Sequence, residues 1–371
     1  MSEPSPREAD RLAHRVLTTR LGLKAGENVT IEVYPSSLSW AAGFVRESRR
    51  LGAHPLVHYE DEDAYWAAVD DGKADLIGTP GSHEWATLAE TDAYVYFWGP
   101  EDQQRMGNLP DKLVEQLIAF NNEWYARAGK AGVRGVRMAI ARATPANARR
   151  WGVPLDAWRK ELVASTMLDP KVMVRDAEKL RKALEGAGKV HVWHPNGTDL
   201  ALKLVRRKAT VVLGEATPAA IRKRKGRFGF MASVPDGSIF LAPDERTAEG
   251  TFVSNRVAAG FGTPVRGGRW TFRHGRLVAQ SYSSGGAVIR KAYAAGKRGR
   301  DLPAMVEVGL DPTTHMAPTL QENERGAISI GIGSNRGFGG TTDADFNAIL
   351  TTAGAELTVD GQVLVRGGRI L

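Results

Sequence analysis

Cysteine is absent from the 371 residues, which excludes disulfides, thiolate nucleophiles and thiolate metal sites together. There is no apolar run long enough to span a bilayer. Met1 to Asp10 is polar and acidic, without the basic-then-apolar order of a signal peptide. A cytoplasmic location away from membranes is the expectation. Also missing are a Gly-x-Ser-x-Gly elbow, a His-Glu-x-x-His helix and a phosphate loop. Acidic charge is in short supply, 42 residues against 50 basic ones, for a net +8. Part of the surplus sits in Arg206-Arg207-Lys208 and in the run Arg222–Arg227. The second cluster could grip phosphates, but few aromatics interleave it, so a solvated loop is the better reading. Nucleic acid is not the expected partner.

What is present is an ordinary globular composition, 42% hydrophobic and 25% charged. The length exceeds that of a usual single core, so two domains are expected. Helical spacing over Arg7–Leu21 gives way to a strand at Val29–Val33. A helix over Ser36–Leu51, a strand at Leu56–Tyr59 and a helix at Glu62–Asp70 follow. The alternation continues through a strand at Ala93–Phe97, a helix at Asp111–Ala128 and a strand at Val136–Ile140. Such alternation predicts an α/β domain with a mostly parallel sheet. Two more helices, Trp158–Met167 and Lys171–Ala187, complete it.

After Gly188 the texture changes to short β-rich runs separated by Gly and Pro: His191–Trp193, Leu200–Val205, Thr210–Leu213 and Ser238–Leu241. Glu356–Val359 and Val363–Val365 flank Asp360-Gly361, the signature of a tight hairpin. The boundary is therefore placed near Ala187, with an α/β domain over 1–187 and a β-rich (α+β) domain over 188–371.

Three glutamates of the second domain stand beside small residues in apolar, strand-like surroundings: Glu249, Glu307 and Glu322. Buried carboxylates are costly unless paired, protonated or bound to a cation. If these converge, a hard divalent metal or a shared proton accounts for them; taken singly, each also fits an edge-strand residue facing water. The stretch from Leu320 to Asn347 opens with Glu322 and runs through Ile328–Gly333. A glycine-rich turn at Gly337–Gly340 follows, and then the acidic pair Asp343 and Asp345. It reads either as a Gly-rich hairpin or as backbone passing close to a ligand. Histidines add little: His191 and His194 fall on opposite faces of one run, and His315 reads as a loop residue.

The order of motifs resembles the thermophilic-type metallo-aminopeptidases, the aminopeptidase T group. The resemblance is carried by Gly197-Thr198-Asp199-Leu200, Val234-Pro235-Asp236-Gly237-Ser238, Ala242-Pro243, Glu249-Gly250-Thr251, Glu307-Val308-Gly309-Leu310, Glu322-Asn323 and Gly331 to Gly340. It covers most of 188–371 and implies a two-domain fold, usually dimeric, with two metal ions in a cleft between the domains. Its ligands are glutamates, histidines and an aspartate; a glutamate and a tyrosine assist catalysis. Of these the glutamates match, as Glu249, Glu307 and Glu322. Elsewhere Ser329 stands for a histidine, and Asp345-Phe346-Asn347 for the family's His-x-Asp. Arg336 falls where the tyrosine is expected, and Ser238 where the motif carries a glutamate.

The family's imidazoles are thus all replaced, leaving oxygen donors that favour a hard cation or none. A divalent metal (Mg, Mn or Zn) would be held by Glu249, Glu307, Glu322 and Asp345. Without one, Arg336 would neutralise the glutamates or bind a substrate carboxylate. The expected enzyme is a divergent hydrolase or related enzyme acting on a small amide, amine or amino-acid-like molecule. Its catalytic residues would be Glu322, Glu307 and Arg336, and its substrate-binding residues Ser329, Asn335 and Asn347. The alternatives are a metal-dependent aminopeptidase with a carboxylate-rich site and a non-catalytic ligand-binding protein. Ring-cleaving dihydroxypyridine dioxygenases share the fold family, but their iron-binding His-x-Asp is missing here.

Overall fold

A computed structural model describes residues 3–73, 77–186, 188–223, 229–260 and 262–371. The chain forms two compact units, Met1–Asp169 with Gly214–Pro235, and Pro170–Leu213 with Asp236–Leu371. This differs from one cut at Ala187, a residue outside the described set. The basic run is likewise described only at its start, in the short helix Pro218–Lys223.

The first unit is built on parallel strands β1 (Asn28–Val33), β2 (His54–Tyr59), β3 (Ala93–Phe97), β4 (Arg134–Met138) and, much later, β8 (Met231–Val234). Their order is β2-β1-β3-β4-β8, every pairing parallel. The expected α/β alternation is therefore present, with β4 starting two residues early and ending where Ala139–Arg142 coils into a 3₁₀ turn. Sequence reading missed β8, whose four residues pair with β4 from far along the chain.

Helices of this unit are α1 (Pro6–Arg15), α2 (Leu38–Arg50), α3 (Glu62–Asp70), α4 (Ser82–Ala89) and α5 (Gln103–Met106). They are followed by α6 (Asp111–Ala131), α7 (Pro145–Trp151), α8 (Leu155–Met167) and α10 (Pro218–Lys223). Ser5 caps α1 by accepting from Glu8 N at 3.2 Å. The helix continues as a π turn, Val16–Leu21, that carries the fully buried Arg20. Its guanidinium donates to the carbonyls of Ser165, Thr166 and Leu168 at 3.3, 3.2 and 2.8 Å, satisfying the end of α8.

Alternation along these strands sorts two different sheet faces. Val29, Ile31, Val33, Val95 and Phe97 are buried with 1% exposure or less. Phe44 of α2 meets Phe97 edge-on on that side, centroids 5.2 Å apart. The opposite phase, Thr30, Glu32, Tyr94, Tyr96 and Arg137, gives a polar and aromatic face. Parallel sheets covered by helices on both faces are ordinarily apolar throughout, so this face departs from the norm.

The second unit starts with α9 (Lys171–Leu184), whose buried stripe Met173, Ala177, Leu180 and Leu184 explains why it leaves the α/β unit. The antiparallel strands are β5 (Lys189–His194), β6 (Thr198–Lys203), β7 (Thr210–Val212), β9 (Ser238–Leu241), β10 (Glu249–Val253), β11 (Ala258–Gly260) and β12 (Thr263–Val265). They continue with β13 (Arg269–Arg273), β14 (Arg276–Ser281), β15 (Pro303–Gly309), β16 (Ile328–Gly333) and β17 (Asn347–Thr352). The last are β18 (Glu356–Val359), β19 (Gln362–Arg366) and β20 (Arg369–Ile370), with helix α11 (Ala287–Ala295) between β14 and β15.

One sheet has the order β14-β13-β10-β6-β5-β18-β19-β20 and a second the order β17-β16-β15-β9-β7, while β11 and β12 pair apart. The β-rich second domain is as expected. The β18–β19 hairpin turns at Asp360-Gly361, both at positive φ (50° and 81°), as its sequence requires.

Candidate functional site

Strand β15 is the centre of the five-stranded sheet, with every residue from Pro303 to Gly309 buried. Glu307 lies in it opposite Phe240 of β9 and Ser329 of β16. Ser329 in turn lies opposite Thr351 of β17, and their hydroxyls are 2.8 Å apart. A polar row thus crosses an otherwise apolar sheet. Ser238, one pleat along β9, donates its Oγ to Glu307 Oε1 at 2.7 Å. The other oxygen, Oε2, is buried without a hydrogen-bond partner. Burial, and then the neighbouring charge of Glu322, push the Glu307 carboxyl well above the usual carboxylate range. Asp236 pushes the same way, while the Ser238 hydrogen bond pulls down.

Glu322 is brought to Glu307 by a short 3₁₀ turn, Gln321–Asn323, fixed from several sides. Asp311 N donates to Asn323 O at 2.8 Å, and Arg325 N to Asp311 O at 2.9 Å. Arg256 grips Glu324 with two bonds of 2.8 Å, and Arg325 reaches Asp176 at 2.7 Å. Gly309 lets the turn approach β15: a Cβ there would lie 2.1 Å from Glu324 O and 2.5 Å from Glu322 O. Two carboxylates are therefore held together by backbone that tolerates no side chain.

The other expected site residues go elsewhere. Glu249 lies on β10 of the eight-stranded sheet, its side chain 46% exposed. It accepts from His274 N at 2.8 Å and Arg273 Nη1 at 3.0 Å, and these contacts hold its carboxyl below the usual range. Arg336 is 67% exposed and pairs with Asp343 at 3.1 Å, so its charge is directed at that aspartate. Asp345 pairs with Lys297 at 3.3 Å on the surface.

Asn335 is fully buried, and its amide is used at both ends. It donates to Glu245 Oε1 and accepts from Thr342 N, both at 2.7 Å, stapling the glycine-rich loop. Asn347 is exposed and donates to Ser334 O at 3.0 Å. His315 is also exposed, in the segment between β15 and the turn. Sequence reading missed Ser238 and Asp236 as neighbours of Glu307. Both lie in a motif that carries the resemblance, but their nearness to Glu307 is set by antiparallel register, which the motif does not state.

The dinuclear metal centre implied by the resemblance needs several converging donors. Among the described residues no group of three His, Cys, Asp or Glu is placed to hold a metal ion. Of the three glutamates carried over, Glu249 is committed to Arg273 on another sheet, and Glu307 offers one open oxygen, Oε2. Among the described residues, then, these glutamates do not by themselves form the donor group that a pair of metal ions needs.

The family model described as thermophilic metalloprotease (M29) matches residues 6–309. Two solved structures are similar over nearly whole chains. Wild-type AmpT from Thermus thermophilus is 20% identical with a TM-score of 0.68, covering 98% of this chain and 99% of that one. The 2,5-dihydroxypyridine dioxygenase from Pseudomonas putida KT2440 is 14% identical with a TM-score of 0.62, covering 100% and 98%. At such identities the likeness is one of fold. No curated protein matches the sequence. With the family's sequence pattern running through most of its length and the AmpT fold in both units, the chain belongs to the thermophilic metalloprotease (M29) family.

Proposed function

We propose that this protein is a divergent hydrolase of the aminopeptidase fold, acting on a small amide-, amine- or amino-acid-like substrate. In this reading the family's dinuclear metal site is remodelled into a carboxylate pair. Glu322, the partly exposed member, serves as general base and takes a proton from the attacking water. The oxygen then bonds to the substrate carbonyl carbon, the C–N bond breaks, and the proton passes to the leaving amine. Glu307 sits behind it as a buried, Ser238-bonded group that sets the charge and position of Glu322. The observation that carries the proposal is Glu307, buried with one oxygen that has no hydrogen-bond partner, close enough to Glu322 to feel its charge. We infer from the family a homodimer acting in the cytoplasm.

The test is turnover of a panel of aminoacyl anilides and small amides by the wild type and by Glu322→Gln. Loss of turnover in a folded variant supports the base; undiminished turnover overturns it. A second reading, a metal-dependent aminopeptidase with a carboxylate-rich site, is favoured by the family match itself. Stoichiometric zinc, cobalt or manganese in the purified protein, with activity lost to a chelator, would establish that reading over the remodelled one. Saturable binding of panel members without turnover would instead leave a non-catalytic ligand-binding protein.

A further inference from the structure

The polar face of the parallel sheet forms the floor of a cavity of about 1170 Å³. Every residue lining it belongs to the first unit, so it involves neither Glu307 nor Glu322. In-register neighbours build a row across four strands: His58 on β2, Glu32 on β1, Tyr96 on β3 and Arg137 on β4. Each is the next-to-last residue of its strand. Open α/β sheets bind ligands at the carboxyl ends of their strands, where such a row stands. The volume exceeds what a drug-sized ligand needs.

The chemistry of the row is specific. Glu32 accepts from Tyr94 OH, and His58 Nε2 pairs with Glu60 Oε1 at 3.0 Å. Glu60 and Glu84 both add negative field at Glu32, against the single His58. Burial, ahead of these charges, raises the Glu32 carboxyl above its ordinary value, and a bound cation would relieve that cost. Arg137 is engaged by Tyr125 OH, and it stands two strands from Glu32, roughly 10 Å away. Three tryptophans line the space: Trp85 and Trp98, which carry Arg127 and Arg142 over their rings at 4.3 and 3.4 Å, and Trp124, edge-on to Tyr94 at 5.0 Å. Leu56 and Ile118, 51% and 55% exposed, form apolar parts of the lining open to solvent.

We infer that this cavity is a binding site for an aromatic amine, with the cationic nitrogen at Glu32 and the ring among the tryptophans. A carboxylate under an aromatic wall selects a cation by ion pairing and by cation–π attraction together. Neutral and anionic analogues of the same ring lack both.

Isothermal titration calorimetry with tryptamine, tryptophol and indole-3-acetate tests it on the full-length protein. Tryptamine should bind saturably and at least about tenfold more tightly than either analogue. Glu32→Gln should weaken tryptamine about tenfold or more, and Glu322→Gln should leave it unchanged, which separates this site from the proposed catalytic pair. Leu56→Arg adds a competing cation at a half-exposed position of the lining. It should abolish binding, which covers the case of an unfolded Glu32 variant. Absence of saturable tryptamine binding by the wild type, equal binding of indole-3-acetate, or full affinity in folded Glu32→Gln or in Leu56→Arg would each overturn the inference.

Discussion

The closest backbone approach at the candidate site makes a sharp prediction for Gly309→Ala. The new Cβ would lie 2.1 Å from Glu324 O and 2.5 Å from Glu322 O. Real contacts of this kind need more than 3.0 Å, so turn and strand must separate by about 1 Å. Strand β15 is buried between two neighbours, and the turn is the part that gives way. Its movement strains the Asp311–Asn323 and Arg325–Asp311 backbone bonds, now 2.8 and 2.9 Å. Two net hydrogen bonds at ~1 kcal/mol each, with overpacking of 1–2 kcal/mol, give a loss of about 3–4 kcal/mol.

Urea denaturation measures that loss, and hydrogen exchange of the 320–326 peptide locates it. Because Glu322 rides on the same turn, a displacement of ~1 Å should also cut turnover by about 100-fold. A variant within 0.5 kcal/mol of the wild type, with unchanged protection at 320–326, would refute the argument (the threshold is about the level of a neutral surface change).

Glu32→Gln removes a carboxyl whose folded value is raised by burial, with Tyr94, His58, Glu60 and Glu84 around it. The folded wild type keeps a proton that the unfolded chain releases, so its stability is full below about pH 4.5 and falls as pH rises towards the folded value. The variant should lack this fall, of at most ~1.4 kcal/mol per pH unit, and parallel urea-midpoint profiles would refute it. Arg20→Ala strips three carbonyls at the end of α8 of their buried donor; a loss of about 3 kcal/mol or more is expected in thermal or urea unfolding. Glu249→Ala breaks only an exposed pair with Arg273, so stability should change by less than ~1 kcal/mol and turnover not at all. A large loss of turnover would return Glu249 to the active site.

By itself the sequence determined the local periods and the order of motifs. Val29-Thr30-Ile31-Glu32-Val33 and Ala93-Tyr94-Val95-Tyr96-Phe97 alternate, so the strands of the parallel sheet were legible. Asp360-Gly361 signalled a hairpin, and the order of motifs from Gly197 pointed to the family whose model matches residues 6–309.

Tertiary structure alone decided which strands became neighbours. Glu249 and Glu307 occupy similar stretches of sequence, yet β10 joined the eight-stranded sheet and β15 the five-stranded one. That choice left one glutamate beside Arg273 and buried the other under Ser238. Asn335, a polar residue in a glycine-rich loop, turned out to have one end of its amide spent on Thr342 N of the loop and the other on the distant Glu245. The distant Met231–Val234 completed the first sheet. Periodicity says which way a side chain points, but its partner depends on register and on chain segments a hundred residues apart.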